Sequence, residues 1–229
     1  MNSRSYNQFC ALACALDVIG ERWTLLIIRE LLSGPRRFKD LLDGLPEIST
    51  NLLSERLKGL EQQGILCRRV LPPPAGSTVY ELTPLGQALE KAVLELGKWG
   101  SQFLPSSLEG VALPSLGAIA LAIKAFFHPE QAEGINETYE LHLGYEVLQV
   151  QIKDGGLLVQ QGTALIADVF IYTEMQYFVG LFAGQIEPEE AISAGYVRIQ
   201  GDPEALARFL NISGVLGSQG PHALRQHSW

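Results

Sequence analysis

The segment from Ser49 to Gly64 constrains this chain more than any other. Leu53, Leu57 and Leu60 recur at the three- and four-residue intervals of a helix and fall within about 60° of one another at 100° per residue. Ser49 stands where an N-cap belongs and Gly64 where a helix closes, which predicts a helix over 50–63. Asn51, Ser54, Glu55, Lys58 and Gln62 lie opposite the leucines, with Thr50 at the edge. Such a helix is stable only if something covers its leucines.

The flanking sequence supplies that cover. Residues 7–18 read as a helix with Phe9, Leu12, Ala13 and Leu16 on one side. Residues 21–33 read as a second, apolar nearly all round and so central and buried, stopped by Gly34-Pro35. Phe38 to Leu42 make a short helix ended by Gly44 and Pro46. Residues 65–71 and 78–82 read as a strand pair, joined by Pro72–Ser77, a loop too long for a tight hairpin. Thr83-Pro84 then starts a helix carrying Leu85, Leu89, Val93, Leu96, Trp99 and Phe103 over about five turns. That is long for a small core, and a dimer contact is a second use for it. Two short consecutive helices followed by a hairpin are the pattern of a winged helix-turn-helix over residues 1–104.

In that arrangement the outer face of 50–63 enters the major groove, N-terminal residues nearest the bases. Ser49, Thr50, Asn51 and Ser54 suit base edges or phosphates, Asn being able to pair bidentately with adenine; Lys58 is placed for a phosphate. A merely solvated face fits the periodicity equally well. A surrounding basic cluster favours DNA: Arg36, Arg37 and Lys39, then Arg56, then Arg68 and Arg69 beside the wing. Some of these are expected to pair with Glu55, Glu61 or Asp40 instead. The net charge of −8 is unevenly spread: residues 1–104 hold 12 Lys/Arg against 11 Asp/Glu, and residues 105–229 hold 5 against 14. The halves therefore face different partners.

Pro105 to Pro114 read as a linker, and 114–212 as a second domain. A helix around 116–127 precedes segments that alternate as strands over 139–153 and turn at Gly155-Gly156. Residues 166–173 are apolar on both faces apart from Asp168, as for a strand covered on both sides. Helices follow at Met175–Phe182, from Pro188 and after Asp202-Pro203, with a strand at Val197–Ile199. This is an α+β domain around an antiparallel sheet. The tail from Ser213 reads as loosely ordered.

Several blocks of the first half resemble the HxlR-type winged-helix regulators: residues 15–27, Gly34–Phe38, Leu53–Leu57, Tyr80–Gly86 and Trp99-Gly100, covering most of 6–104. The resemblance implies a cytoplasmic bacterial or archaeal transcription factor that binds double-stranded DNA as a homodimer through the first and last helices of this domain. Some members sense oxidants through a cysteine near the N-terminus, and Cys10 matches that position; a small buried apolar residue is the other reading of it. Residues 139–210 resemble a sterol-carrier-protein-type domain, which implies an apolar tunnel for a lipid-like molecule. Phe170, Tyr172, Met175, Phe178, Phe182 and Leu206 are the candidates for lining it, although cores use the same residue types.

An enzyme is not expected: the sequence has no phosphate loop, nucleophile elbow, Cys/His pairing or metal-ligand spacing, and no cofactor is implied. A lipid carrier without gene control leaves the first half unexplained, and a scaffolding role for the second half stays open. Three cysteines without a leader segment point to reduced thiols. The uncharged run from Gly110 to Ile123 is 14 residues and too short to span a membrane. The two glycosylation-like triplets, at Asn136 and Asn211, are read as chance matches.

Overall fold

The computed structural model describes residues 5–72, 76–105, 108 and 110–213. The chain divides into two compact units, Met1–Val93 and Leu94–Trp229. No helix among the described residues is long and apolar enough to cross a membrane.

The first unit contains α1 (Ala11–Ile19), α2 (Thr24–Leu31), α3 (Phe38–Gly44), α4 (Thr50–Gln62), β1 (Leu66–Val70), β2 (Thr78–Leu82), α5 (Pro84–Gln87) and the start of α6 (Glu90–Gly100). β1 and β2 pair antiparallel from Leu66↔Leu82 to Val70↔Thr78. Of the connection between them, residues 73–75 lie outside the described residues. Ile27, Ile28, Leu31, Leu41, Leu45, Leu53, Leu57, Leu60, Leu66 and Val79 form the buried interior. The leucine stripe of α4 is thus buried in this interior, with β1 beside it.

Three local readings need correction. The first helix begins at Ala11, not at residue 7, because Asn7 takes a left-handed backbone (φ 49°), and Phe9 is left fully exposed. α2 is not buried all round: Leu26 is 40% exposed and Leu25 half-buried, so only the Ile27/Ile28/Leu31 side meets the core. The helix read as continuous from Pro84 to Phe103 is broken. α5 ends at Gln87, α6 begins at Glu90, and Ser101–Phe103 form a single 3-10 turn. Gly86 explains the first break. Its α-carbon lies so near the β1 entry that a β-carbon would stand 2.1 Å from the carbonyl oxygen of Ile65. Thr83 holds the same junction, donating its hydroxyl to the Gly64 carbonyl (2.6 Å) and accepting from the Gly86 N–H.

The second unit takes in the rest of α6, then α7 (Leu116–Ala125), β3 (Asn136–Leu143), β4 (Glu146–Lys153), β5 (Gly156–Gln161), β6 (Val169–Thr173), α8 (Met175–Phe182), α9 (Pro188–Ser193), β7 (Val197–Gln200) and α10 (Ala205–Ile212). The division into compact units falls inside α6, where a β-carbon at Gly97 would touch the Leu121 side chain of α7 at 3.4 Å. Strands run β5-β4-β3-β6-β7, all antiparallel except the central pair β3/β6. One face, carrying Tyr139, Leu141, Val150, Ile152, Val159, Val169 and Ile171, packs against α7, α8 and α10 through Ile119, Ile123, Phe178, Leu206 and Phe209. Because β5 and β6 both run parallel to β3, the chain from 162 to 168 crosses the other face. There the Ala164 N–H donates to Glu140 at 2.8 Å. The strand begins at Val169 rather than Ile166, which is 81% exposed on that crossing. The tail beyond Ser213 lies outside the described residues; Ser213 itself is buried, its hydroxyl donating to Phe209 O.

Candidate nucleic-acid interface

α4 starts where its cap requires. Ser49 is extended (φ −76°, ψ 151°) and its Oγ accepts from the Leu52 N–H at 3.2 Å. At the N-terminus of α3, Asp40 accepts from the Arg37 N–H at 3.0 Å. Ser49, Thr50, Asn51, Ser54, Glu55 and Lys58 are all exposed along one side of α4. Arg37 and Lys39 are exposed on α3 and the residue before it. Among the described residues, neither Lys39 nor Lys58 enters an ion pair, so both ammonium groups are available to phosphate.

Two of the predicted contacts are corrected. Arg36 is buried, its guanidinium turned inward to Ser33 Oγ (3.4 Å) and the Glu30 carbonyl (3.4 Å). Its backbone exchanges hydrogen bonds with Tyr80 at 3.0 and 2.7 Å, which ties the segment before α3 to the hairpin. Arg36 therefore positions the wing and does not present a charge to solvent. Arg56 is turned back onto α2, donating to the Arg22 carbonyl (3.2 Å) and to Glu21 (3.0 Å), with Glu55 also paired at 3.1 Å. It clamps the N-terminus of α2 to α4.

Arg68 and Arg69 are exposed but paired, with Glu61 and Glu81, each at 2.9 Å. Those carboxylates hold both guanidinium groups above their ordinary range, the direct hydrogen bond being the main cause. Both pairs are solvent-screened, and exchanging a carboxylate for a phosphate costs little in such a setting. Arg68 lies opposite Tyr80 in the hairpin register. With Ser54, Lys58, Glu61 and Gln62 these two line a groove of about 390 Å³ between α4 and the wing. Tyr80 was not among the predicted contacts. The period-2 alternation of the second strand was the available signal, but it could not set the register against β1.

The six residues expected to line one apolar pocket separate. Phe178, Phe182 and Leu206 are buried in the helix-covered core, where Phe178 stacks on Phe182 (5.4 Å) and meets Phe209 (6.4 Å). Met175 is half-buried at its edge. Phe170 and Tyr172 point to the opposite face of the sheet, because they alternate with the buried Val169, Ile171 and Thr173. Cys10 and Cys14 are exposed; Cys67 is half-buried beside Glu81, and burial followed by that carboxylate raises its thiol above the ordinary range. Among the described residues no group of three or more His, Cys, Asp or Glu is placed to hold a metal ion.

Comparison with known proteins gives each unit a match. Residues 18–108 match the HxlR-like helix-turn-helix family, and residues 123–213 match the SCP-2 sterol transfer family. The HTH-type transcriptional regulator YodB of Bacillus subtilis (strain 168) is 44% identical over 89 residues, which are 39% of this chain and 80% of YodB. A second regulator of that organism, YvaP, is 40% identical over 96 residues, 42% of this chain and 89% of YvaP. Among solved structures, the reduced form of YodB aligns with a TM-score of 0.38 at 40% identity, covering 44% of this chain and 99% of that one.

Proposed function

Because the chain belongs to the HxlR-like helix-turn-helix family of transcriptional regulators, with an SCP-2-like unit following, we propose that it is a regulator rather than an enzyme, and that two copies read one operator. The observation that carries the reading is the exposed polar side of α4, backed by a buried leucine stripe and bordered by Lys58 and the arginine-bearing wing. In this reading Asn51 and Ser54 meet base edges, while Arg37, Lys39, Lys58, Arg68 and Arg69 neutralise phosphates. Exposed apolar side chains support the paired state: Phe9, Leu12 and Leu16 on or beside α1, and Leu96, Trp99 and Phe103 on or beside α6. Two-fold symmetry then sets the half-sites roughly 10 bp apart, or a multiple of it.

Mobility-shift titration of promoter DNA tests this reading. Lys58→Ala is expected to weaken binding to operator and scrambled DNA alike and to lower the salt slope by about one. Asn51→Ala is expected to relax preference at one base position by about 1–3 kcal/mol. Unchanged affinity, salt slope and preference in both variants would overturn the assignment of α4.

The finer part of the proposal is that an apolar small molecule in the second unit modulates DNA affinity. The SCP-2 match supports it. Such a molecule would have to enter where Phe178, Phe182, Leu206 and Phe209 now pack, parting α8 and α10 from the sheet. It would act on DNA only by favouring one of two states of unequal operator affinity. Native mass spectrometry for a co-purifying lipid, with operator affinity measured before and after delipidation, tests it. A lipid-bound form with unaltered affinity would refute the coupling.

A further inference from the structure

The end of the sheet where β6 leads into α8 carries a second constellation, separate from the core where an apolar ligand would lie. At the end of β3 and β6, His142, Gly144, Tyr172, Thr173, Glu174, Tyr177, Gly195 and Tyr196 line an open groove of about 440 Å³. That is within the size range of small-molecule sites. Tyr177 and Tyr196 stack almost parallel, 4.2 Å apart at 5°, so each keeps one ring face free of the other. Tyr172 has neither face free. His142 of β3 stacks on one side at 4.5 Å, and Arg198 of β7 lies over the ring at 4.3 Å from the strand on the other side.

Every polar side-chain group toward this groove is an acceptor or can act as one. Among the described residues no hydrogen bond or ion pair engages the Glu174 carboxylate or the Tyr177 and Tyr196 hydroxyls. His142 Nε2 lies 2.7 Å from Glu140 Oε1, and the buried Glu140 also accepts from the Ala164 N–H. A carboxylate accepts, so Nε2 is the nitrogen that donates to Glu140. Gly144 keeps the space beside Glu174 open, since a β-carbon there would stand 3.2 Å from Glu174 Oε2. The surrounding half of the chain is strongly acidic, with 5 Lys/Arg against 14 Asp/Glu over residues 105–229.

We propose that this groove binds a small organic ammonium ion carrying a flat apolar group. The ammonium meets the Glu174 carboxylate and the flat group lies on the exposed Tyr196 ring, beside its stacked partner Tyr177, where a ring quadrupole adds to the attraction for the cation. An anion is disfavoured by Glu174 and Glu140. A neutral ligand of the same size would leave the carboxylate without its counter-charge.

The test uses the full-length protein and benzylammonium as probe, with uncharged benzyl alcohol as the size control, followed by NMR shift perturbation. Saturable shifts at Glu174, Tyr177 and Tyr196 are expected with benzylammonium. Glu174→Gln is expected to weaken it about fivefold and Tyr196→Ala by a similar factor, while benzyl alcohol binds no better to either form. Glu174 is exposed, so its amide variant retains the fold, and an unchanged Tm verifies this. Equal affinity for the amine and the alcohol, or an unaltered affinity in Glu174→Gln, overturns the proposal. Operator binding is measured in the same samples, so that loss of DNA binding and loss of amine binding are read independently.

Discussion

At position 86 the choice of residue is dictated by a backbone oxygen in another element. Alanine there would bring its β-carbon within 2.1 Å of Ile65 O, a contact that only movement of β1 or α5 can relieve. Gly86→Ala is expected to destabilise the first unit by about 1–3 kcal/mol, read as a lowered denaturation midpoint. An unchanged midpoint would mean that the junction is not held as described. The three thiols also differ by position. Cys10 and Cys14 are exposed, whereas Cys67 is half-buried with its thiol raised by burial and Glu81, so less of it is thiolate at a given pH. Alkylation at pH 8 followed by mass spectrometry is expected to label Cys10 and Cys14 before Cys67; the reverse order would contradict the assigned environment. The roles of Arg36 and Arg56 belong at this scale too. Sequence marks both as cations near a polar helix but carries no information on which way a long side chain turns. Arg36 goes inward to the Glu30 carbonyl and Ser33, and Arg56 goes back to Glu21 and the Arg22 carbonyl.

Among the elements, α4 is the one whose bounds and faces follow from local chemistry alone. Its Ser49 cap, leucine spacing and polar side are all visible in sixteen consecutive residues, and the observed helix runs Thr50–Gln62. Removing the cap frees the Leu52 N–H at the end of α4 proposed to face the DNA. Ser49→Ala is expected to cost about 1 kcal/mol of stability, measured by urea titration. A variant as stable as the parent would show that the Ser49–Leu52 bond contributes nothing. The helix after Pro84 shows the opposite situation. Its apolar residues continue at helical spacing through Phe103, yet the helix breaks at 88–89 because docking of Gly86 against the first strand outweighs a continuous hydrogen-bond ladder. Likewise the strand at 169–173 has apolar residues on both faces, but only one of those faces meets helices.

For the whole molecule, large apolar side chains remain in solvent when one chain is considered: Phe9 fully, Phe103 at 70% and Trp99 at 62%. Exposed apolar side chains of this size are what the proposed pairing of two copies would cover. Replacing Phe9 or Trp99 with glutamate is expected to shift sedimentation from dimer toward monomer and to weaken operator binding with it, because half-sites are then bound singly. A parent protein that sediments as a monomer at micromolar concentration would remove the premise.

The order of helices and strands and the leucine-backed helix could be read from residue spacing and caps, and the resemblance to two families from motif blocks, since these are local properties of a chain. Three things could not: the pairing of Arg68 with Tyr80, the inward turn of Arg36, and the separation of Phe170 and Tyr172 from Phe178 and Leu206. Each depends on which distant segment arrives beside a residue. Hydrophobic character says that a side chain will leave water, but only packing decides whether it enters a core or borders a groove on the other face of a sheet.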